Sequence, residues 1–252
     1  YQIILDFDQL DWISDIENFN VKYDLNYYAT DKLKIDFGLN GISYNLNPGE
    51  IVPSTPSSSV NPLILDQKNA FEAGAYVSAE HTITDKLTAR YGLRYSTFNR
   101  LGQQTITNYA NNQPVVYNQE LGIYQSGTAV GSTPYSRGQT IRKFGNLEPR
   151  LGLSYKLTDK SSVKGSYTRT AQYLHLLSNT ISVTPLDVWT PSGPYIKPQL
   201  SNQYALGYYR NSNDNKYSFE VEAYYKTTDN RIDYIDGANL LGNNTIETEI
   251  LN

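Results

Sequence analysis

Four arginines and three glutamates fall at even positions of segments whose odd positions are largely apolar: Arg90, Arg94, Arg100 and Arg150, with Glu72, Glu80 and Glu148. Guanidinium forks gathered on one face could grip an anionic solute. The competing reading makes them wall charges paired with the neighbouring glutamates, where opposite charges across strands contribute only ~0.2–1 kcal/mol each. Three aromatics, Tyr173, Trp189 and Tyr195, lie with His175 in a Ser/Thr/Pro-rich stretch. Such rings either bind sugars or hydrophobic ligands, or pack a loop against its neighbours. For His175 the plainer alternative is loop packing or hydrogen bonding. The acidic run Asp6, Asp8, Asp11, Asp15 and Glu17 lacks the glycine and ligand spacing of a calcium-binding loop and reads as a solvated loop.

Signatures of enzymes are missing. His81 and His175 are the only histidines, far apart in the chain, and no zinc signature surrounds them. With no cysteine, disulfides, thiol catalysis and cysteine-based metal sites are excluded. There is no nucleophile elbow, phosphate loop or dinucleotide fingerprint, so no cofactor is implied and nothing asks for an enzyme. The net charge of -4 leaves no basic surface for nucleic acid. At 39% hydrophobic residues and a mean hydropathy of -0.52, the chain has no run of the roughly 20 apolar residues a helical span needs. A β-strand in a barrel needs only every second residue apolar, so this composition permits one.

The elements that would position these residues are written in the alternation. Leu87, Ala89, Tyr91, Leu93 and Tyr95 alternate with Thr88, Arg90, Gly92, Arg94 and Ser96. Comparable segments surround Thr30-Asp31-Lys32, Thr84-Asp85-Lys86, Thr158-Asp159-Lys160 and the related Asn213-Asp214-Asn215-Lys216. Each marks a tight turn between antiparallel strands, eight in all, of about 10–14 residues, enough to cross an apolar band of roughly 25 Å. The other ends are joined by long connections over 48–68, 102–144 and 171–199. Short turns on one rim and long loops on the other predict an all-β, antiparallel transmembrane β-barrel wall, with the turns periplasmic and the loops extracellular. A soluble β-sandwich also alternates, but its strands are shorter and its connections lack this rhythm. Two segments fit less well: Ser161 to Thr170 puts Arg169 on the apolar side, and Ser201 to Arg210 carries tyrosine on both faces. Pro149, lacking a donor, should lie near a strand end or a gap in pairing. The stretch from Arg231 to Asn252 is expected to begin another strand. On these faces Leu93→Arg should disturb assembly, and Arg94→Leu much less.

Gly145-Asn146-Leu147-Glu148-Pro149-Arg150-Leu151-Gly152-Leu153-Ser154-Tyr155 and Gly165-Ser166-Tyr167-Thr168-Arg169-Thr170-Ala171-Gln172-Tyr173-Leu174-His175 resemble barrel strands of TonB-dependent receptors. Asp187-Val188-Trp189 and Ile196-Lys197-Pro198-Gln199-Leu200-Ser201-Asn202-Gln203-Tyr204 follow in the order seen in the outer-membrane receptors of Bacteroidetes. The resemblance is strongest over about residues 140–230. It implies a 22-stranded barrel of which these eight strands are part, filled by an N-terminal plug, and active uptake of a scarce or bulky solute. Residues 1–252 are then part of a single barrel domain, an interior portion of a longer protein, with plug and TonB-box regions not present in it. The implied location is the outer membrane of a Gram-negative bacterium. The implied partners are the lipid bilayer, the TonB complex through an N-terminal region, a small solute or oligomer, and a surface lipoprotein. Arg90, Arg94, Arg150, Tyr173, His175 and Trp189 are the candidate contacts to solute or plug. A non-transporting subunit of a larger outer-membrane complex, or a small self-closed eight-stranded barrel, are the other functions this wall could serve.

Overall fold

The structure, a computed structural model, describes residues 2–5, 8–178, 187–212, 214 and 216–252. Eight long strands form the wall: β1 (Asp8–Thr30), β2 (Leu33–Pro53), β3 (Lys68–Thr82), β4 (Leu87–Leu101), β5 (Thr140–Thr158), β6 (Ser161–Gln172), β7 (Gln199–Asn211) and β8 (Ser218–Asp229). Each pairs antiparallel with the next in sequence. A short strand, Gln2–Leu5, pairs with the start of β1, and Leu63–Ile64 pairs with the end of β2. β1 and β8 do not pair with each other. The eight strands are therefore an open sheet, and the self-closed barrel is not formed. No helix among the described residues is long and apolar enough to cross a membrane, which says nothing of crossing by strands.

The repeated Thr-Asp-Lys is a turn with a mechanism. Thr30, Thr84 and Thr158 accept, on Oγ1, the N–H of Lys32 (3.2 Å), Lys86 (3.3 Å) and Lys160 (3.2 Å). Asp214 does the same for Lys216 (3.3 Å). A side-chain acceptor two residues before the donor closes the chain on itself without a long loop.

Alternation sorts the faces as the sequence predicts. One face carries Phe19, Tyr23, Leu39, Phe71, Val77, Leu93, Leu151, Leu206 and Val221, all exposed, which is the position of side chains that meet lipid. The opposite face carries the charges. One hydrogen-bonded row crosses the whole wall on the apolar side: Tyr27, Ile35, Ala79, Tyr91, Leu151, Tyr167, Tyr204 and Tyr225. On β1 this row is the turn-side edge of the apolar belt, with only Ala29 beyond it. On β8 the same row is the loop-side edge, with Thr227 and Asp229 beyond it. Strands of a barrel tilt by about 35–45°, so a row perpendicular to the strands crosses the membrane obliquely. This explains Arg169. It is on the outward face, opposite Asn202 of β7, but one outward position above Tyr167, where the belt on β6 has ended.

β1 to β5 run 15 to 23 residues, longer than the alternation indicates, β6 to β8 keep the expected 12 or 13, and the connections shrink to 54–67, 102–139 and 173–198. Above the membrane both faces are wet, so pairing continues while the apolar alternation stops. The acidic stretch read as a solvated loop is for this reason the outer part of β1: Asp11 pairs with Val52 and Asp15 with Asn47. Asp6 lies outside the described residues. Pro149 sits opposite Leu93, but the β5–β6 ladder starts only at Arg150, so its missing N–H faces a gap in pairing.

The loops are folded. Gln104–Tyr109 pairs with Ala129–Tyr135, Val115–Asn118 with Ile123–Ser126, and Leu174–Leu177 with Val188–Pro191. Residues 231–252 do not begin a wall strand. Asp233–Tyr234 makes a two-residue pairing with Ile250–Leu251, and a single 3-10 turn spans Ile246–Thr248. Their apolar residues are irregularly spaced and face one centre: Leu240, Ile246 and Ile250 are buried with Leu177, Val188 and Ile196.

Candidate functional site

The inner face is organised by Arg94. In register it stands between Tyr76 of β3 and Glu148 of β5. Its Nη2 lies 3.6 Å from Glu72 Oε1 and its Nε 3.6 Å from Glu148 Oε1. Gly74 makes room for this, because a Cβ there would lie 2.6 Å from Nη2. Each carboxylate has further donors. Ser96 Oγ donates to Glu148 Oε1 (2.6 Å), the Ala171 N–H reaches Glu148 Oε2 (3.4 Å), and Tyr44 O–H donates to Glu72 Oε2 (3.3 Å). Tyr173 enters from the connection after β6. Its ring stacks on Phe98 (centroids 4.9 Å apart, planes 4° apart), and its hydroxyl meets Ser96 Oγ (2.8 Å) and accepts from Asn146 Nδ2 (2.8 Å). The ionic network and the loop above it are one unit. Beside it Tyr76 O–H donates to Asp24 Oδ1 (2.6 Å), and Asp24 also pairs with Lys22 (2.8 Å).

Towards the turn rim the face stays ionic. Arg90 pairs with Glu80, its cross-strand neighbour, at 2.9 Å, and Lys34 with Asp36 at 2.9 Å. On the β6–β8 side the Lys164 ammonium sits 4.2 Å from the Tyr209 ring centre, and the Tyr209 hydroxyl donates to Glu222. Arg150, exposed on the same face, makes no hydrogen bond or ion pair among the described residues. Arg100 is buried at the loop end of β4, where Nη1 donates to the carbonyl of Asn69 (2.7 Å) and Nη2 to the Gln104 side chain.

The remaining sequence candidates lie in the loops. His175 is 3% exposed, opposite Thr190 in the hairpin, and its Nε2 lies 2.9 Å from Ser192 Oγ. Burial pulls its pKa down to about 4, so it is neutral at pH 7. Trp189, next to Thr190 in the same hairpin strand, is 39% exposed. Tyr195 packs edge-on against Tyr109 (5.3 Å) and donates to the Thr107 carbonyl (2.9 Å). The structure therefore brings Arg94 and Tyr173 into one network, leaves Arg90 and Arg150 elsewhere on the inner face, and puts His175 and Trp189 in one loop hairpin. Sequence reasoning missed Tyr44, Ser96 and Asn146 as members of that network. Their even parity with Arg94 was available as a signal; the inward reach of Tyr173 was not. Among the described residues no group of three or more His, Asp or Glu could hold a metal ion.

A wall with lipid-facing apolar residues on one side, ions on the other, tight turns on one rim and folded loops on the other defines an outer-membrane β-barrel. The family model described as "TonB dependent receptor-like, beta-barrel" matches residues 3–249, and the chain belongs to that family. Its members are β-barrels of the Gram-negative outer membrane, which is where this wall resides. Among solved structures, similarity extends to the copper transporter OprC (11% identity, 89% of this chain and 32% of that one, TM-score 0.55). A double mutant of the Serratia marcescens hemophore receptor HasR, in complex with its hemophore HasA and heme, gives 13% identity, 90% and 35% coverage, and TM-score 0.53. The alcaligin outer membrane receptor FauA from Bordetella pertussis gives 16% identity, 94% and 33% coverage, and TM-score 0.50. At these identities the likeness is one of fold, and the chain spans about a third of the length of each. No curated protein sequence matches it.

Proposed function

We propose that this wall belongs to a receptor that imports a scarce or bulky solute across the outer membrane, driven from the inner membrane through TonB. The observation that carries the reading is the family match over residues 3–249. The open sheet supports it. The free edges of β1 and β8 would leave backbone groups unpaired in lipid, at several kcal/mol each, so further strands must complete the ring. In that ring the Glu72–Arg94–Glu148 network and Arg90 face the lumen, where a plug domain would meet them. Arg150 and Trp189, exposed and with no side-chain hydrogen bond or ion pair among the described residues, are the contacts we assign to solute or plug. Tyr173 and His175 hold the loop in place.

The test is uptake by cells carrying or lacking the full-length gene, over candidate nutrients, with and without a protonophore. Import that disappears on deletion, returns on complementation and stops when the inner membrane is de-energised is the expected result. Binding without any energy-dependent accumulation would instead assign the protein to the non-transporting members of an outer-membrane complex.

A further inference from the structure

Above the Arg94 network, beyond the apolar belt, two cations are set side by side on the inner face. Arg100 is 3% exposed. Its cross-strand partner is Ala70, and Lys68 is the next inward residue on β3. Both line a half-open cavity of about 60 Å³, with Thr190 and Pro191 of the loop hairpin, Gln104 at the base of the 104–109 strand, and Asn244 and Glu247 from the last segment. Lys68 Nζ donates to Thr190 Oγ1 at 3.0 Å, and no second acceptor meets it among the described residues. Neither cation has a described carboxylate within 4.0 Å. Two acids lie farther off: Glu247 and Asp66 both attract Lys68, and Asp66 attracts Arg100, while one Glu247 oxygen is taken by the Tyr109 O–H at 3.2 Å. Asp66 stands at the exposed margin.

Apart from the second Glu247 oxygen, the side-chain atoms left over around Lys68 and Arg100 are donors. Lys68 retains two N–H groups, the Thr190 hydroxyl has its proton to give once its oxygen has accepted from Lys68, and Gln104 and Asn244 present amide N–H₂ groups while their oxygens accept from Arg100 and from the Asp66 N–H. A half-buried ammonium and a buried guanidinium with unused donors and no carboxylate within 4.0 Å gain from an anion that joins them directly. Burial and the Arg100 charge pull the Lys68 pKa down to about 7, against the more distant charges of Glu247 and Asp66, which hold it up.

We propose that this cavity seats a compact monoanion, a halide or the carboxylate of a small acid, held by Lys68 and Arg100 with Thr190 and Gln104 completing its shell. The seat is independent of the import reading. Its ligands come from β3, β4 and two loop segments, so an anion there ties the loops to the barrel rim.

The experiment measures chloride binding to the full-length protein in detergent by 35Cl NMR line broadening, at constant ionic strength with gluconate, too large for the cavity, as the balancing anion. Wild type should broaden the line saturably. Lys68→Met should lower the affinity at least tenfold, and Thr190→Val, nearly isosteric, severalfold. Formate that displaces the chloride extends the ligand class to carboxylates; formate without effect restricts it to halides. No protein-dependent broadening, or broadening unchanged in Lys68→Met and Thr190→Val, overturns the proposal.

Discussion

Arg94 is the one cation between Glu72 and Glu148, so removing it strands two carboxylates on a face that also receives Tyr173. Breaking a fully buried pair costs about 3–5 kcal/mol. The Arg94 side chain is 23% exposed, so screening brings the expectation for Arg94→Ala to about 1–3 kcal/mol. Urea unfolding of the full-length barrel in lipid should register that loss, with part of it returned by adding Glu148→Gln; an Arg94→Ala barrel as stable as wild type would refute the role. Alternation alone marks Arg94 as inward and so makes Arg94→Leu look mild. The second acid, reaching it over the bare Gly74, was not legible because it depends on how side chains lie across strands. His175 supplies a pH dependence of known sign. Its folded pKa, about 4, lies below the ordinary 6.5, so the unfolded hairpin binds a proton more readily and stability is lost as pH falls through that interval. Hydrogen exchange of the amides in Leu174–Leu177 and Val188–Pro191, corrected for intrinsic rates, should be faster at pH 5 than at pH 7. Unchanged protection would mean His175 is not buried as described.

At the scale of the strand, the information in the sequence is a statement about lipid. Leu93 and Arg169 are both outward residues, but Leu93 lies within the belt of β4 and Arg169 above the belt of β6. Leu93→Arg should therefore cost about 2–4 kcal/mol near the bilayer midplane. Arg169→Leu should change little, and comparing the two by heat-modifiable gel mobility and unfolding in lipid checks the assignment. Equal effects would mean that the outward face is not sorted by depth. The same reasoning explains what was and was not readable. The tight turns and the eight belts were visible, since Thr30, Thr84 and Thr158 and the apolar periodicity are local features. The outer part of β1 was not, because Asp11, Asp15 and Glu17 pair through backbone groups in water, where no alternation is required. Nor was the packing of residues 231–252, whose Leu240, Ile246 and Ile250 are sorted by contact with a distant hairpin.

For the whole wall, tilt turns a hydrogen-bonded row into a depth gauge. Tyr27 on β1 and Tyr225 on β8 belong to one row, seven strand steps apart. With strands about 4.8 Å apart and tilted near 40°, the row climbs by roughly 22 Å along the membrane normal. That nearly equals the apolar band of about 25 Å, which is why the row is the turn-side edge of the belt on β1 and its loop-side edge on β8. Orientation follows from the rims, with the turn at Asp85 facing the periplasm and the connection holding Ser57 facing outward. Nitroxides placed by cysteine substitution at Tyr27, Leu151 and Tyr225 of the full-length protein in bilayers should report this directly. Leu151 should be deepest, with the highest ratio of oxygen to polar-relaxant accessibility. Tyr225 should respond to a relaxant confined to the side on which Ser57→Cys is labelled, and Tyr27 to one confined to the side of Asp85→Cys. Three equal depths would place the row parallel to the membrane and leave the polar Arg169, Asn202 and Thr227 inside the lipid, an arrangement that the cost of burying them forbids.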